Sequence, residues 1–469
     1  MPSHSASSPA VATITDTKQV AAGAFAPGHL GELTQQIPFE MVDEALAATG
    51  TTQVRVRHLP ARVVVYLLLA GCLFTELGYP RVWATLTAGL SGIPVSDPGT
   101  AALSQARRRL GAAPLRWLFE LLAGPAAVAT SVGVRWRTLL VCAIDGTTLS
   151  APDTPANLKI YHKQPGNHGG TGYPQLRLLT LVACGTRSII AAVFGPARGP
   201  GTGETSYARR LIAAMGPGML VLADRNFDYA TLLEAIAAAE AHFLVRLKGN
   251  RRLPVLKRYR DGSYLSTIGT LRIRVVEAEI TINTSAGRAT GVYRLATTLL
   301  DHRQHPAGEL IRLYHQRWEI ETAYLEIKSS ILGGRVLRAR TPTGIQQEVY
   351  ALLVTYQILR TAMADATNSQ PDTDPDRASF TTALHTARNQ LINAAGIIAE
   401  TVIDLVGTIG RHVLNNLMPT RRLRVAPRVV KRAISKYQAR GPHVDRTTYQ
   451  ATLTINILAG PDLTTGPEP

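Results

Sequence analysis

The spacing of apolar positions along the chain changes after about residue 134. From about residue 38 to 130 the apolar residues follow a helical pattern, and LPARVVVYLLLAGCLFTEL is one long apolar stretch with Pro60 near its start, where a helix tolerates proline. The first 27 or so residues are rich in Ser, Ala, Thr and Pro, a composition typical of disorder. The pattern predicts a disordered tail over residues 1–34 and a helical N-terminal domain over residues 35–130.

Beyond residue 134 the apolar runs become short and rich in β-branched residues, as in buried strands. The predicted strands are Thr138–Asp145, Leu176–Cys184, Ser188–Gly195, Met219–Asp224 and Phe243–Gly249. Helices are predicted for ETSYARRLIAAM and YATLLEAIAAAEA, on either side of the fourth strand. Three strands followed by alternating helix and strand indicate an α/β fold with a mixed sheet covered on both faces.

The later part of the chain has three further segments. Between about residues 251 and 306, LRIRVVEAEI alternates apolar and charged residues, which predicts a β-rich insertion. Helical patterns then continue to about residue 363. The region 379–455 is predicted to be helical and basic, and its segment RRLRVAPRVVKRAISKYQAR contains no acid, which is typical of an arm that binds phosphate groups.

The charge of the chain narrows the classes of partner. Its 469 residues include 50 Lys and Arg against 33 Asp and Glu, a formal net charge of +17. Such an excess favours a polyanion, either nucleic acid or an anionic membrane surface, although an Arg-rich proteome gives the same excess without any such partner. The longest apolar run, VVVYLLLAGCLF, is shorter than the roughly twenty residues that a membrane span needs. We therefore expect no membrane association.

The location follows from the N-terminus and the cysteines. The first residues lack the basic and apolar regions of a signal peptide. The three cysteines, Cys72, Cys142 and Cys184, are far apart in apolar surroundings and fit neither a zinc site nor a disulfide framework. A cytoplasmic protein is the expectation.

One stretch, YHQRWEIETAYLEIK, carries an unusual polar stripe. At 100° per residue, four polar residues fall in one narrow wedge of a helix: Tyr314, Arg317, Glu321 and Lys328. The other acids, Glu319 and Glu326, fall on another face. A phenol, a guanidinium, a carboxylate and an ammonium in one stripe suggest a functional site, and the alternative is a solvated face with intrahelical ion pairs.

Two aspartates stand where predicted strands end. Asp145 ends one buried strand and Asp224 another, and ligand sites of α/β proteins commonly lie at such ends. Each could instead begin a turn or cap a helix, as could Asp228. Together with Glu321 they make a set of hard oxygen donors, which suits Mg²⁺, or Mn²⁺ in its place, rather than zinc. Two such ions support phosphodiester chemistry, and the basic residues of the stripe would bind a phosphate backbone.

The arrangement Y-x2-R-x3-E-x6-K, met in full by the stripe, resembles the signature of DDE transposases from bacterial insertion sequences of the insertion-sequence-four type. VCAIDGTTL resembles the first-Asp segment of that family and LADRNFD the second, D-R-x-F/Y. LPARVVVYLLLAGCLF and SQARRRLG resemble its helical N-terminal domain. The second segment carries Arg107, Arg108 and Arg109 on a short helix, which with the total charge predicts DNA binding by the domain 35–130; the alternative is a solvated face. The resemblance spans roughly residues 35 to 365, with the three segments in the family's order.

The resemblance implies a ribonuclease-H-like catalytic core over residues 134–365 with the β-rich insertion inside it. It implies an enzyme, a transposase that carries out cut-and-paste DNA transposition through hydrolysis and strand transfer at terminal inverted repeats. Asp145, Asp224 and Glu321 would be the catalytic residues and the ligands of two Mg²⁺ ions, with Tyr314, Arg317 and Lys328 contacting DNA near the cleaved phosphate. The partners would be double-stranded transposon ends and target DNA, bound by a homodimer at the bacterial nucleoid.

Two other functions remain open from the residues. A catalytically silent or domesticated derivative would bind DNA as a repressor or structural factor, but such a protein has no reason to keep all three acids. A metal-dependent nuclease unrelated to transposition would keep the acids and would need no domain for transposon ends. For residues 379–455 both dimerisation and DNA contact remain open.

Overall fold

The computed structural model describes residues 30–53, 59–88, 96–166, 169–285, 287–393 and 406–419, together with five short segments between residues 424 and 458. The predicted disordered tail lies outside these residues up to position 29. The remainder of that tail is ordered: Leu30 and Leu33 are buried, and Leu33–Gln35 forms a 3₁₀ turn. Most of the basic segment 421–440 also lies outside the described residues.

The α-helices of the described residues are α1 (Phe39–Ala48), α2 (Ala61–Leu73), α3 (Tyr79–Thr87), α4 (Thr100–Leu110), α5 (Ala113–Leu122), α6 (Pro155–Leu158), α7 (Glu204–Arg209), α8 (Ala230–Ala238), α9 (Ala307–Tyr314), α10 (Trp318–Leu325), α11 (Pro342–Asn368), α12 (Phe380–Ile392) and α13 (Gly407–Asn415). Helix α2 is apolar on every side and buried along nearly its whole length, as expected of a helix without a polar face. It begins directly after Pro60, as predicted.

The strands of the described residues are β1 (Arg135–Trp136), β2 (Leu139–Ser150), β3 (Gln164–Gly166), β4 (Gly169–Thr171), β5 (Gln175–Ala183), β6 (Ile189–Pro196), β7 (Met219–Ala223), β8 (His242–Arg246), β9 (Lys257–Arg258), β10 (Tyr264–Ile268), β11 (Leu271–Thr284), β12 (Gly287–Thr297), β13 (Arg424–Val425), β14 (Val429–Val430), β15 (Gln438–Ala439), β16 (Tyr449–Gln450) and β17 (Thr452–Ile457). The five predicted core strands are therefore present as β2, β5, β6, β7 and β8, with small differences at their ends.

The core sheet has the order β6-β5-β2-β7-β8. Strand β5 runs antiparallel to both β2 and β6, while β7 and β8 run parallel to β2. This order and direction are those of a ribonuclease-H-like sheet. The predicted fold class, a mixed α/β core with a β-rich insertion and flanking helical regions, is confirmed.

The β-rich insertion lies between β8 and α9 and continues the core sheet. Strand β12 pairs antiparallel with β8, and the order then runs β12-β11-β10-β9. Along its far part, Ala278–Asn283, strand β11 pairs with β17 in place of β10 and stays paired with β12 on its other side. Sequence analysis predicted the insertion but placed β17 inside a helical and basic C-terminal region, and for this segment that prediction is wrong. Periodicity within six residues does not reveal a pairing partner so far away in the chain.

The N-terminal helices pack directly on the core. One hydrophobic cluster extends from Leu30 through α2 and α11 to Val413, and it includes one face of the core sheet. Arg338 joins the two parts, because its guanidinium donates to the main-chain oxygens of Leu77 (3.1 Å) and Gly71 (2.9 Å). The helical region is thus held against the core sheet through a shared interior. Within the described part of the chain, no helix combines the length and the apolar character that crossing a membrane requires.

Candidate active site

Asp145 and Asp224 lie side by side at one edge of the core sheet. Ile144 of β2 pairs with Ala223 of β7, and the parallel pairing of these strands stops there. The next residue on each strand is the aspartate, and neighbouring strands are about 4.8 Å apart. Asp145 does not end its strand as predicted, because β2 continues to pair with β5 as far as Ser150.

The two aspartates of LADRNFD have different surroundings. Asp224 caps the 3₁₀ turn Arg225–Phe227, its Oδ1 accepting from the N–H of Asn226 at 2.8 Å. The capping interpretation therefore holds for one carboxylate oxygen of Asp224. Asp228 is fully buried and accepts from the N–H of Lys248 (2.9 Å) and the Nε of Arg251 (2.8 Å), so it fixes the loop after β8 and does not reach the sheet edge.

The stretch YHQRWEIETAYLEIK, which carries the stripe, is not one regular helix. Helix α9 ends at Tyr314, a 3₁₀ turn covers His315–Arg317, α10 follows, and Glu326–Ile331 forms a π-helical turn. The predicted angles therefore hold only locally. The four polar residues still lie on the side of this sheet edge. Tyr314, Arg317 and Lys328 contact β7 or β2, and Glu321 contacts Arg317. Single π-helical turns within helices are frequent at functional sites.

Arg317 lies between two of the candidate catalytic acids. Its Nη1 is 3.5 Å from Oδ2 of Asp145, and its Nη2 donates to Oε1 of Glu321 at 3.3 Å. The side chain of Arg317 is only 10% exposed. Burial alone would lower the pKa of the guanidinium, but Tyr314 and the three acids together raise it. Arg317 thus offsets part of the negative charge of these acids.

The carboxyl of Asp145 is strongly perturbed. Burial raises its pKa to about 7, and the nearby charges of Asp224 and Glu321 contribute in the same direction. The N–H of Gly146, which donates to Oδ1 at 2.8 Å, and the charge of Arg317 oppose this rise without cancelling it. Titratable groups with such a shift cluster at functional sites. Asp224 and Glu321 are thus near enough to Asp145 for their charges to act on its carboxyl.

Tyr314 and Lys328, the other two residues of the stripe, contact β7 and β2 close to Asp224 and Asp145. Tyr314 is only 6% exposed, and its hydroxyl donates to the carbonyl of Ala223, next to Asp224, at 3.0 Å. Burial raises the pKa of Tyr314. Lys328 donates from Nζ to Oγ1 of Thr147 at 3.1 Å, two residues beyond Asp145 on β2. The structure therefore brings all six predicted site residues to one edge of the sheet.

The glycine after Asp145 is closely surrounded by side chains. A Cβ at Gly146 would lie 2.9 Å from Cδ1 of Leu179 and 3.0 Å from Oε1 of Glu204. Because successive side chains of a strand point to opposite faces, Gly146 faces α7 while Asp145 faces the stripe. The pair Asp-Gly in VCAIDGTTL thus lets a helix approach the back of the strand that carries the acid.

Glu319 and Glu326, which sequence analysis placed on another face, anchor the stripe to the interior. Together with their partners they form a buried ion cluster, whose members are Arg187, Glu319, Glu326, Arg360 and Asp376. Arg187 Nε donates to Glu319 at 2.6 Å, and Arg360 pairs with Glu326. The sequence offered no signal for these partners, which come from distant parts of the chain.

Tyr324 is a site residue that sequence analysis missed. Its buried hydroxyl donates to the main-chain carbonyl of Asp145 at 2.6 Å. The available signal was its position three residues after Glu321, which places both side chains on one side of α10. A tyrosine at that spacing is more often a core residue, so the pattern alone did not single it out.

Two family models match the chain. The model described as "Insertion element 4 transposase N-terminal" matches residues 27–120, and the model described as "Transposase DDE domain" matches residues 136–358. The transposase InsG for insertion sequence element IS4 of Escherichia coli (strain K12) is 28% identical over 412 residues, which are 85% of this chain and 91% of that protein. The chain belongs to the DDE transposases of the insertion element 4 type.

Two further comparisons give weaker likenesses. InsZ of the same Escherichia coli strain is 28% identical over 200 residues, which are 42% of this chain and 64% of that protein. A solved structure, described as the cryo-EM structure of the piggyBac transposase synaptic complex with hairpin DNA, covers 86% of this chain and 87% of that chain. Its sequence identity is 10% and its TM-score 0.42, a likeness too weak to bear on the fold.

Membership of this DDE transposase family gives the chain a transposase function, which implies nuclease and transposition activity in general. Neither the silent DNA-binding derivative nor an unrelated nuclease is better supported by any of these likenesses. DDE transposases generally use divalent metal ions. The donor set fits such an ion, since it consists of carboxylates alone, which Mg²⁺ prefers. Among the described residues, however, no three His, Cys, Asp or Glu side chains stand close enough to hold a metal ion.

Proposed function

We propose that the chain catalyses cut-and-paste DNA transposition, by metal-dependent phosphodiester hydrolysis and strand transfer at terminal inverted repeats. The observation that carries the proposal is the position of Arg317, whose one guanidinium contacts both Asp145 and Glu321 at the edge where Asp224 follows β7. Three acids around one buried cation form a site that can exchange the cation for metal ions. A protein that only binds DNA gains nothing from this arrangement.

Asp145, Asp224 and Glu321 are the proposed catalytic residues and metal ligands, holding two Mg²⁺ ions for which Mn²⁺ can substitute. Metal ions held by these carboxylates would supply the activation of water or of a 3′-hydroxyl and the stabilisation of the leaving oxygen. Arg317 exchanges its carboxylate partners for a phosphate group of DNA and so remains paired in both states. A guanidinium suits this exchange, because its fork matches carboxylate and phosphate alike.

Lys328 and Tyr314 complete the proposed DNA site. The Nζ of Lys328 contacts Thr147, which follows Asp145 on β2, and a point charge at that position can hold the next phosphate of the DNA backbone. Tyr314 lines the same site, and its buried hydroxyl is already bonded to Ala223. It therefore contributes the ring to the site and uses the hydroxyl to hold β7 beside Asp224.

The proposed partners are double-stranded transposon ends and target DNA, bound by a homodimer. The net charge of +17 supports a polyanionic partner. In the helical region 35–130, Arg108 and Arg109 are exposed in the last turn of α4, where they can contact DNA in addition to stabilising the helix end. The region 379–455 serves dimerisation or DNA contact. The protein acts in the cytoplasm, at the nucleoid.

The decisive experiment is Glu321→Gln in the full-length protein. Strand cleavage of a DNA fragment carrying the element's inverted repeat should be lost, because a metal ligand is removed, while binding of that fragment stays nearly intact. Glu309→Gln is the matched control, since Glu309 lies on α9 of the same segment in an exposed ion pair with Arg137. It should cleave like the wild type.

Electrophoretic shift and cleavage assays on the same fragment separate the outcomes. Loss of cleavage with retained binding supports the assignment of Glu321. Equal loss of both activities, or cleavage that survives the substitution, contradicts it. A wild-type protein that binds the fragment and never cleaves it, in Mg²⁺ or Mn²⁺, would favour the silent DNA-binding derivative.

A further inference from the structure

The hydroxyl of Tyr324 sits on the main chain of the strand that carries Asp145. It donates to the carbonyl oxygen of Asp145 at 2.6 Å. The N–H of Thr180 lies 3.2 Å from the same hydroxyl and the Oγ1 of Thr180 2.8 Å from it. Because a tyrosine has one hydroxyl proton, and Asp145 receives it, both groups of Thr180 donate to Tyr324. All three contacts are buried or nearly so.

These partners are two sides of one rung of the sheet. Asp145 and Thr180 are directly opposite each other in the antiparallel pair of β2 and β5. The N–H of Cys184 donates to the carbonyl of Val141, and bonded pairs alternate along such a ladder. The rung of Asp145 and Thr180 is therefore a hydrogen-bonded pair. Tyr324 thus binds the N–H and the C=O that hold the catalytic strand to its neighbour.

We propose that Tyr324 is a positioning residue that fixes the spacing between α10, which carries Glu321, and β2, which carries Asp145. This inference rests on the proposed function, in which both acids bind metal. Glu321 and Tyr324 are three residues apart, on one side of α10, so the bond from the tyrosine to the Asp145 carbonyl holds the same part of the helix that carries the acid. Tyr314 acts in parallel at the other strand, through its bond to the carbonyl of Ala223.

By holding α10 at a fixed distance from β2, Tyr324 fixes the separation of the carboxylates of Glu321 and Asp145. Mg²⁺ requires near-ideal octahedral geometry, so a small displacement of α10 from β2 weakens its binding. Outer groups that orient metal ligands typically contribute about ten- to a hundredfold to metal affinity. A tyrosine that only filled the interior would contribute to stability and leave metal affinity unchanged.

The test compares Tyr324→Phe with wild type and with Tyr66→Phe, in full-length protein. Tyr66 is a matched control, because its buried hydroxyl also donates to a main-chain carbonyl, that of Ile37, at 2.6 Å, among the N-terminal helices. Two quantities are measured for each protein: binding of Mn²⁺ followed by electron paramagnetic resonance, and the Mg²⁺ concentration that gives half-maximal cleavage. Melting temperature and metal-free DNA binding are measured beside them.

We expect Tyr324→Phe to weaken Mn²⁺ binding about tenfold and to raise the half-maximal Mg²⁺ concentration by a similar factor. Both variants should melt at slightly lower temperature than wild type and bind DNA equally well, and Tyr66→Phe should keep the metal affinity of the wild type. Equal Mn²⁺ affinity in Tyr324→Phe and Tyr66→Phe, with all three proteins cleaving, overturns the inference and leaves the proposed function intact.

Two other results have a defined meaning. If the wild type neither binds Mn²⁺ nor cleaves, the proposed function fails and the inference fails with it. If Tyr324→Phe gives no folded protein, Thr180→Val takes its place, because it removes only the Oγ1 contact with the tyrosine. An unchanged Mn²⁺ affinity in Thr180→Val then overturns the inference.

Discussion

Replacing Asp145 by asparagine should stabilise the protein at pH 8 and leave its stability unchanged at pH 4. In the folded chain the pKa of Asp145 is about 7, raised chiefly by burial, whereas an unfolded chain has an ordinary value of about 3.9. Below pH 4 the carboxyl is protonated in both states and therefore does not change the free energy of unfolding. Between pH 4 and 7 only the unfolded chain releases the proton, so stability falls as the pH rises.

Above pH 7 the ionised Asp145 lowers the free energy of unfolding of the wild type by about 4 kcal/mol, at 1.36 kcal/mol for each unit of pKa difference. The asparagine side chain would carry no charge and would escape this cost. The assay is urea denaturation at a series of pH values from 4 to 8.5, in EDTA so that no divalent ion pairs with the acids. The difference in free energy of unfolding between Asp145→Asn and wild type should grow from pH 4 to about pH 7 and level off above it.

A second aspartate gives a control of opposite sign. Burial tends to raise the pKa of Asp261, but hydrogen bonds from Ser263 and the charge of Arg274 lower it. Its contribution to stability is present above the unfolded pKa and is lost as the pH falls. Asp261→Asn should therefore destabilise the protein at pH 8 and do so less at pH 3. Parallel pH curves for wild type and Asp145→Asn would refute the electrostatic description of the site.

Two further predictions concern the stripe and its anchor. Lys328→Ala should weaken binding of transposon ends and lower by about 0.9 the slope of the logarithm of the binding constant against the logarithm of salt concentration. The control Arg116→Ala, at an exposed ion pair with Glu120, should leave that slope unchanged. If Lys328→Ala and wild type have the same slope, Lys328 is structural. Glu326→Ala should lower the free energy of unfolding by about 3–5 kcal/mol, because it leaves Arg360 buried without its acid, and a loss below about 1 kcal/mol in urea denaturation would contradict this interpretation.

The sequence predicted the parts of the site that depend on local spacing. The predicted strands β2 and β7 bring Asp145 and Asp224 beside each other, although only β7 ends there and β2 continues to Ser150. The four-residue step from Arg317 to Glu321 produces the observed ion pair, a relation that a few consecutive residues fix. The regularity assumed between Tyr314 and Lys328 did not survive, since a 3₁₀ turn and a π-helical turn interrupt the helix.

Contacts between distant segments could not be predicted in the same way. Arg187 and Asp376, which bind each other in the buried ion cluster, are separated by most of the core. Tyr324 finds its partner Thr180 on a strand that precedes it by more than a hundred residues. A periodic pattern reports which face of an element is buried and carries no information on which residue it meets there. One sequence alone therefore leaves such partners open.

The pairing of β17 with β11 has a consequence for synthesis of the protein on the ribosome. The two strands are separated by about 170 residues, which at 5–20 residues per second take roughly 10–35 s to translate. During that interval the N–H and C=O groups of Ala278–Asn283 that later bind β17 have no strand partner. An open edge of this kind is a template for pairing with another nascent chain. The yield of soluble protein therefore depends on how long each polysome leaves that edge uncovered.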